Sequence, residues 1–190
     1  KSSQGHDLRG AQPPPYVRAF NNAGFDVVRF DRSPLGDEPN RAAGWLRDGL
    51  TALRRLGWRV VVAGGESRGG WTSLQILNTP GLADAVIAIS PAAHGSGGSL
   101  RLLAQTDDFR RMLDEAASSR SRVAFVQFQG DFYIGSADAR RNLVEQILRP
   151  KAGALLVIDR PDGFIGHRAG DDLRFAERYG INLLRFVLGS

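Results

Sequence analysis

The chain contains no cysteine. Disulfide bonds, thiolate metal sites and a cysteine nucleophile are therefore excluded. Uninterrupted apolar runs stay well short of the roughly 18 residues of a membrane span, so no membrane span is expected. No N-terminal signal-peptide pattern is present. These absences fit a soluble protein, either cytoplasmic or exported, and leave the compartment and the oligomeric state open.

Histidine is also scarce, and lysine is nearly absent. The three histidines, His6, His94 and His167, are far apart and form no H-E-x-x-H or H-x-H pattern, so we expect no metal and no other cofactor. The net charge is +5, but the positive residues are almost all arginines dispersed among leucines at helical spacing. That pattern indicates solvated helix faces, and we expect no nucleic-acid partner.

Short apolar runs alternate with amphipathic segments along the chain. The runs lack the polar alternation of half-exposed strands, which favours a parallel sheet covered on both faces. Strands are predicted at residues 25–30, 58–64, 85–90, 123–128 and 154–159. Helices are predicted at 14–24, 43–56, 68–79, 98–105 and 107–118, after Ser136 as an N-cap, and after Asp171 as the cap of the last helix. This order predicts one α/β domain over residues 1–190, a three-layer, doubly wound, mostly parallel sheet with a small helical insertion at 91–121.

The segment Gly65-Glu66-Ser67-Arg68-Gly69 follows a predicted strand and precedes a predicted helix. It is a G-x-S-x-G pattern in the strand–turn–helix context of a nucleophile elbow. Such a turn forces the serine into a strained conformation, and its neighbours must lack bulk. The backbone N–H of Arg68, at the helix N-terminus, could then hold an oxyanion. The alternatives are a glycine-rich turn that only packs or one that binds phosphate.

A serine nucleophile needs a base, and the base needs an orienting acid. His167 follows the last predicted strand, whereas His6 and His94 lie in other loops. The acid is expected between serine and histidine in the chain. Asp131 lies directly after strand 123–128, and Asp138 is the second candidate.

Three motifs resemble those of the α/β-hydrolase superfamily: GGESRGGW around Ser67, QGDFYIG around Asp131 and GFIGH before His167. The resemblance covers residues 15–188; its subgroup, dienelactone-hydrolase-like or prolyl-oligopeptidase-like, stays open. It implies that Ser67 is the nucleophile, Asp131 the acid and His167 the general base, with Arg68 donating one oxyanion hydrogen bond.

The sequence departs from the family at its N-terminus. Members begin with further strands, one of which leads into the loop that supplies the second oxyanion donor. We therefore expect these strands to be lacking from this sequence, either because an upstream segment is missing from it or because the protein is a reduced version of the fold. The second donor stays unassigned, with residues 2–7 as candidates. The cap is small, which predicts an open cleft, and five side chains are pocket candidates: Trp71, Phe132, Tyr133, Phe164 and Ile165.

The sequence thus predicts a serine hydrolase acting on a small-molecule carboxylic ester through an acyl-enzyme. The alternatives are a peptidase or acyltransferase with the same triad, and a binding module on a hydrolase scaffold. A peptidase would need either a carboxylate that recognises an amine or a propeller-type gating domain, and the single predicted domain favours the esterase. Glu66, beside the serine, could play an anionic role.

Overall fold

The computed structural model describes residues 12–31, 39–93 and 99–190. Within them, strands and helices alternate along the chain. In chain order they are α1 (Val17–Asn22), α2 (Pro39–Arg55), β1 (Val62–Glu66), α3 (Arg68–Gln75), β2 (Ala85–Ile89), α4 (Ser99–Asp114), β3 (Arg122–Gln127), α5 (Ala137–Leu143), β4 (Ala154–Asp159) and α6 (Leu173–Leu188). Single 3₁₀ turns follow α3 at Ile76–Asn78 and precede α6 at Ala169–Asp171, and α5 continues as a π turn over Val144–Leu148.

The four strands form one parallel sheet in the order β1-β2-β3-β4. The register places Val62 beside Ala85, Ala85 beside Arg122, and Arg122 beside Ala154. Because all strands run in the same direction, their carboxyl ends lie along one edge of the sheet. Residues that follow directly after β1, β3 and β4 are therefore close in space.

Helices cover both faces of this sheet, which confirms the predicted three-layer α/β architecture. On one face α2, α3, α4 and α5 enclose a core that includes Trp71, Phe109 and Phe125. On the other face α1 and α6 enclose a second core that includes Phe20, Phe128 and Phe175. Strand β2 is apolar throughout, and β3 is apolar in its interior, because both faces of these two strands are buried.

The prediction of a strand at residues 25–30 is wrong. This segment makes no strand pairing, and Val28 is 68% exposed. An apolar run becomes a buried strand only where a neighbouring strand supplies hydrogen bonds, and no described strand pairs with it. The strand predicted at residues 58–64 corresponds to β1, which begins later than expected, at Val62. It begins there because its pairing partner, Ala85, is the first residue of β2.

Strands β2, β3 and β4 lie where the sequence predicts them, within one residue at each end. The insertion holds one helix, α4, rather than two. Ser136 is confirmed as the N-cap of α5, since its hydroxyl accepts from the N–H of Ala139. Asp171 does not cap α6; Asp172 does, by accepting from the N–H of Arg174. Of the helices in the described ranges, none combines the length and apolar character needed to cross a membrane.

Candidate active site

Ser67 occupies the turn between β1 and α3 in a backbone conformation that is rare for a residue with a side chain. Its φ is 55° and its ψ is −120°. The turn is held on both sides: the N–H of Ser67 donates to Ile89 O over 2.9 Å, and its carbonyl accepts from the N–H groups of Trp71 and Ala92. Strain of this kind persists only where the surroundings impose it, and it turns the hydroxyl away from the backbone.

The glycines around Ser67 allow β1 and α3 to approach each other. A Cβ added at Gly65 would lie 2.6 Å from the carbonyl carbon of Gly69, closer than real Cβ atoms come to backbone. A Cβ at Gly70 would lie 2.9 Å from the carbonyl oxygen of Gly65. A Cβ at Gly69 would meet nothing within 4 Å, so the expected need for a small side chain at Gly69 is wrong. The residues that require glycine for space are Gly65 and Gly70.

A chain of hydrogen bonds extends from the Ser67 hydroxyl. Its Oγ lies 2.7 Å from Nε2 of His167. Nδ1 of the same ring lies 2.9 Å from each carboxylate oxygen of Asp131. The Asp131 side chain is fully buried, and that of His167 is 12% exposed. With the ring proton on Nδ1, Nε2 is free to accept the hydroxyl proton.

The loops that carry His167 and Asp131 are fastened to each other. The N–H of Gly166 donates to Gln129 O over 2.8 Å, next to an isolated parallel bridge between Gln129 and Ile165. The ring of Tyr133 packs against the imidazole with 4.3 Å between centroids. These contacts determine where the imidazole lies relative to the acid.

The fold is similar to the folds of two solved structures. The structure is similar to that of the esterase Pf2001 from Pyrococcus furiosus, with a TM-score of 0.62, 14% sequence identity, and coverage of 91% of this chain and 74% of that chain. It is also similar to esterase PE8, with a TM-score of 0.50, 17% identity, and coverage of 85% and 68%.

The chain has an α/β-hydrolase fold. No protein-family model and no curated protein matches the sequence. At these low identities the similarity establishes the fold and not the reaction.

Within this α/β-hydrolase fold, Asp131 is supported by a buried arginine that the sequence analysis missed. Arg140 is 0% exposed, donates to the carbonyls of Pro91 and Ile134, and lies over the ring of Phe109 at 3.9 Å. Burial lowers the pKa of Arg140 to about 9, and the nearby Asp131 carboxylate opposes that shift. An arginine four residues after an N-cap gave no signal in the sequence, because arginines usually face solvent.

Asp138, the second candidate for the acid, lies away from the histidine. It pairs with Arg160 and Arg141 on the surface. Its carboxylate is 62% exposed, whereas that of Asp131 is buried against the imidazole. Of the two candidates, the structure brings only Asp131 to His167.

Glu66 is the second group whose environment the sequence did not indicate. Burial, followed by the neighbouring Asp171 carboxylate, raises the pKa of Glu66 from an ordinary 4.5 to about 8. This environment favours the neutral acid, which argues against the anionic role considered for Glu66.

The five pocket candidates divide into two groups. Trp71 is 4% exposed and packs against Phe109, and Phe164 packs against Phe175; both belong to the core, so the prediction that they line a cleft is wrong. Tyr133 is beside the imidazole, and Phe132 and Ile165 are 83% and 75% exposed at the same sheet edge. Phe132 and Asp131 also border a cavity of about 250 Å³ that extends to Arg160.

The remaining predicted site elements are placed as follows. Arg68 is the first residue of α3, directly after Ser67, so its backbone N–H lies at the positive end of that helix. His6, His94 and the second-donor candidates at residues 2–7 lie outside the described residues.

Proposed function

We propose that this protein is a serine hydrolase that cleaves a carboxylic ester of a small molecule through an acyl-enzyme. Ser67 is the nucleophile, His167 the general base and Asp131 the acid that orients it. The observation that carries the proposal is the continuous hydrogen-bond chain from Ser67 Oγ through His167 to Asp131, with donor–acceptor distances of 2.7 and 2.9 Å. The esterases similar in fold support the ester as the substrate class.

The first half-reaction forms the acyl-enzyme. His167 Nε2 takes the proton of Ser67 Oγ while that oxygen bonds to the ester carbonyl carbon. Asp131 stabilises the resulting imidazolium and keeps its Nδ1 proton in place. The tetrahedral intermediate then collapses: the bond from the carbonyl carbon to the alkoxy oxygen breaks, and His167 returns the proton to the departing alcohol.

The second half-reaction repeats these steps with water. His167 deprotonates a water molecule as it attacks the acyl carbon, and Ser67 leaves with the proton restored. In both halves we infer that the N–H of Arg68 donates to the developing oxyanion, a contribution that is worth about 10²–10³-fold in rate per donor in serine hydrolases. The exposed side chains Phe132 and Ile165 at the sheet edge fit an open cleft for a small acyl or alcohol group.

The test combines turnover with active-site labelling. Wild-type protein is assayed with a short-chain p-nitrophenyl ester and treated with a fluorophosphonate probe, beside Ser67→Ala. The control is Ser73→Ala, which removes another hydroxyl of the same turn–helix segment, from inside α3. We expect wild type and the control to hydrolyse the ester and to be labelled at one serine, and Ser67→Ala to do neither.

Other outcomes contradict the proposal in distinguishable ways. Labelling at Ser67 with cleavage of peptide amides but not esters would indicate a peptidase. Preferential transfer of the acyl group to an added alcohol would indicate an acyltransferase. A folded wild type that neither labels nor turns over would favour a binding module on this fold.

A further inference from the structure

Glu66 has an environment that an ordinary surface glutamate does not have. It is the last residue of β1 and directly precedes Ser67. Its Oε1 is fully buried and has no hydrogen-bond donor among the described residues. Gly170 packs directly over the carboxyl group, since a Cβ added there would lie 3.3 Å from Oε1 and 2.7 Å from Ile89 Cγ2. An ionised carboxylate in this position would be poorly solvated.

The polar neighbour of Glu66 is another carboxyl group. Glu66 is within hydrogen-bonding reach of Asp171, and two carboxyl groups form a hydrogen bond only if one of them carries a proton. Asp171 accepts two hydrogen bonds from the guanidinium of Arg168. The raised pKa of Glu66 and the two bonds from Arg168 to Asp171 therefore favour Glu66 as the donor of the pair.

The charged and titratable groups that face Glu66 come from every element around it. Asp171 and Arg168 lie in the segment after His167, Asp131 lies after β3, and the buried phenol of Tyr16 lies before α1. Asp171 and Asp131 disfavour ionisation of Glu66, and only Arg168, which is already paired with Asp171, favours it. The buried Oε1, the packing of Gly170 over the carboxyl group and the neighbouring carboxylates thus all favour the neutral form of Glu66.

The Glu66 carboxyl group links two parts of the proposed active site, because Gly170 packs over it and Asp171 is the next residue in the chain. Glu66 is one residue before Ser67, and Asp171 ends the 3₁₀ turn Ala169–Asp171 that follows His167. The turn is compact, because the N–H of Ala169 donates to Gly166 O and that of Asp171 to Arg168 O. A displacement at Asp171 therefore moves the segment that carries the imidazole.

We propose that Glu66 is a positioning residue which, as a neutral acid bound to Asp171, holds the His167 segment in register with Ser67. The inference rests on the proposed function, because the position of the His167 segment relative to Ser67 matters only if His167 and Ser67 react together. When Glu66 ionises, the shared proton is lost and two adjacent carboxylates repel each other across the junction. The His167 segment then moves away from Ser67, and activity falls.

The sign of the pH effect follows from the direction of the shift. Below about 8, the raised pKa of Glu66, the group is protonated in the folded protein and the register is kept. Above that pH it ionises, so kcat/KM is expected to decline on the alkaline side. Stability changes over a lower window: between an unfolded pKa of 4.5 and a folded pKa of about 8, only the unfolded chain releases this proton, so stability falls as pH rises through that range.

The experiment uses the full chain and two independent readouts. The variants are Glu66→Gln, which retains a neutral group able to donate to Asp171, Glu66→Ala, which does not, and Asp171→Asn, which removes the repulsion. The first readout is kcat/KM for a p-nitrophenyl ester from pH 5.5 to 10. The second is the Tm over the same pH range.

We expect wild type to lose activity above pH 8 and Glu66→Gln and Asp171→Asn to show no such decline. Glu66→Ala should lose about 10²-fold in kcat/KM at pH 7, the cost of misplacing a reacting group by about 1 Å, with the loss in kcat rather than KM. Rescue by Gln but not Ala separates a positioning hydrogen bond from simple packing. An alkaline decline that persists unchanged in Glu66→Gln would overturn the proposal.

The Tm measurement tests whether Glu66 is neutral in the folded protein even if no ester is hydrolysed. The Tm difference between Glu66→Gln and wild type should grow from pH 5.5 to pH 8 and then stay constant. If wild type is inactive but this difference grows, the proposed function has failed while the neutral state of Glu66 stands. A difference that does not vary with pH would show that Glu66 ionises normally in the fold, and the inference would be wrong whatever the activity.

Discussion

The substitution Gly65→Ala tests whether the close packing of β1 against α3 sets the position of Ser67. The added Cβ would lie 2.6, 2.8 and 2.9 Å from the C, Cα and O atoms of Gly69, all of them backbone atoms. Ordinary contact begins at 3.4 Å, so the two segments must separate by 3.4 − 2.6, or about 0.8 Å. The start of α3 carries both Ser67 and Arg68 and must move with that separation.

The expected magnitude follows from this displacement. A shift of about 1 Å in a reacting group costs about 10²-fold in rate, so kcat/KM for an ester should fall by about that factor. Overpacking of this kind costs about 1–3 kcal/mol, partly offset by about 0.4–1 kcal/mol from the lower chain entropy of alanine in the unfolded state. The free energy of unfolding should therefore fall by only about 1–2 kcal/mol, and the protein should still fold.

The assay measures kcat/KM and urea unfolding of Gly65→Ala beside Gly64→Ala. The control substitution lies one residue earlier in the same strand, where an added Cβ would make only ordinary contacts of 3.6 to 3.8 Å with Tyr16 and Ile87. The control should stay close to wild type in both measurements. If Gly65→Ala keeps the activity of wild type, the packing does not position the nucleophile and the steric reasoning is refuted.

Two further substitutions separate catalysis from stability. Asp131→Asn keeps the shape of the side chain but supports the wrong imidazole tautomer, so kcat should fall by about 10⁴-fold with little change in Tm; a loss of less than tenfold would remove Asp131 from the proposed triad. Gly153→Ala should lower the free energy of unfolding by about 1–3 kcal/mol, because the added Cβ would collide with the backbone of Arg120, while the activity of the folded fraction stays unchanged. A variant as stable as wild type in urea would contradict this second expectation.

The parts of the fold that the sequence predicted best are those decided by local pattern. Strand β4 has the predicted bounds because it coincides with an apolar run that ends at an aspartate, a pattern visible in the sequence itself. The segment at residues 25–30 has an equally apolar pattern but forms no strand, since strand formation depends on a neighbour that no local pattern reveals. Asp172 rather than Asp171 caps α6, because Asp171 ends the preceding 3₁₀ turn whereas Asp172 has the extended backbone of an N-cap.

In the site, too, local patterns were predictable and contacts between residues distant in sequence were not. The G-x-S-x-G pattern indicated Ser67, and the order of the strands indicated where its partners would be, because parallel strands end at one edge. The supporting residues were missed because their roles come from contacts distant in sequence: Arg140 with Pro91, and Glu66 with Asp171. The sequence indicated that glycines were needed, but only the packing shows that Gly70 and not Gly69 is the second of them.

The two cores on opposite faces of the sheet have a consequence for how the site would be lost during partial unfolding. Ser67 begins α3, which packs into one core, whereas His167 precedes α6, which packs into the other. Their hydrogen bond therefore joins the layers that lie on opposite faces of the sheet. Local opening of the α1–α6 layer would withdraw the histidine and leave the serine in its turn. Activity would then disappear at lower denaturant concentration than the far-UV circular dichroism signal, and amide exchange in α6 would report the same opening.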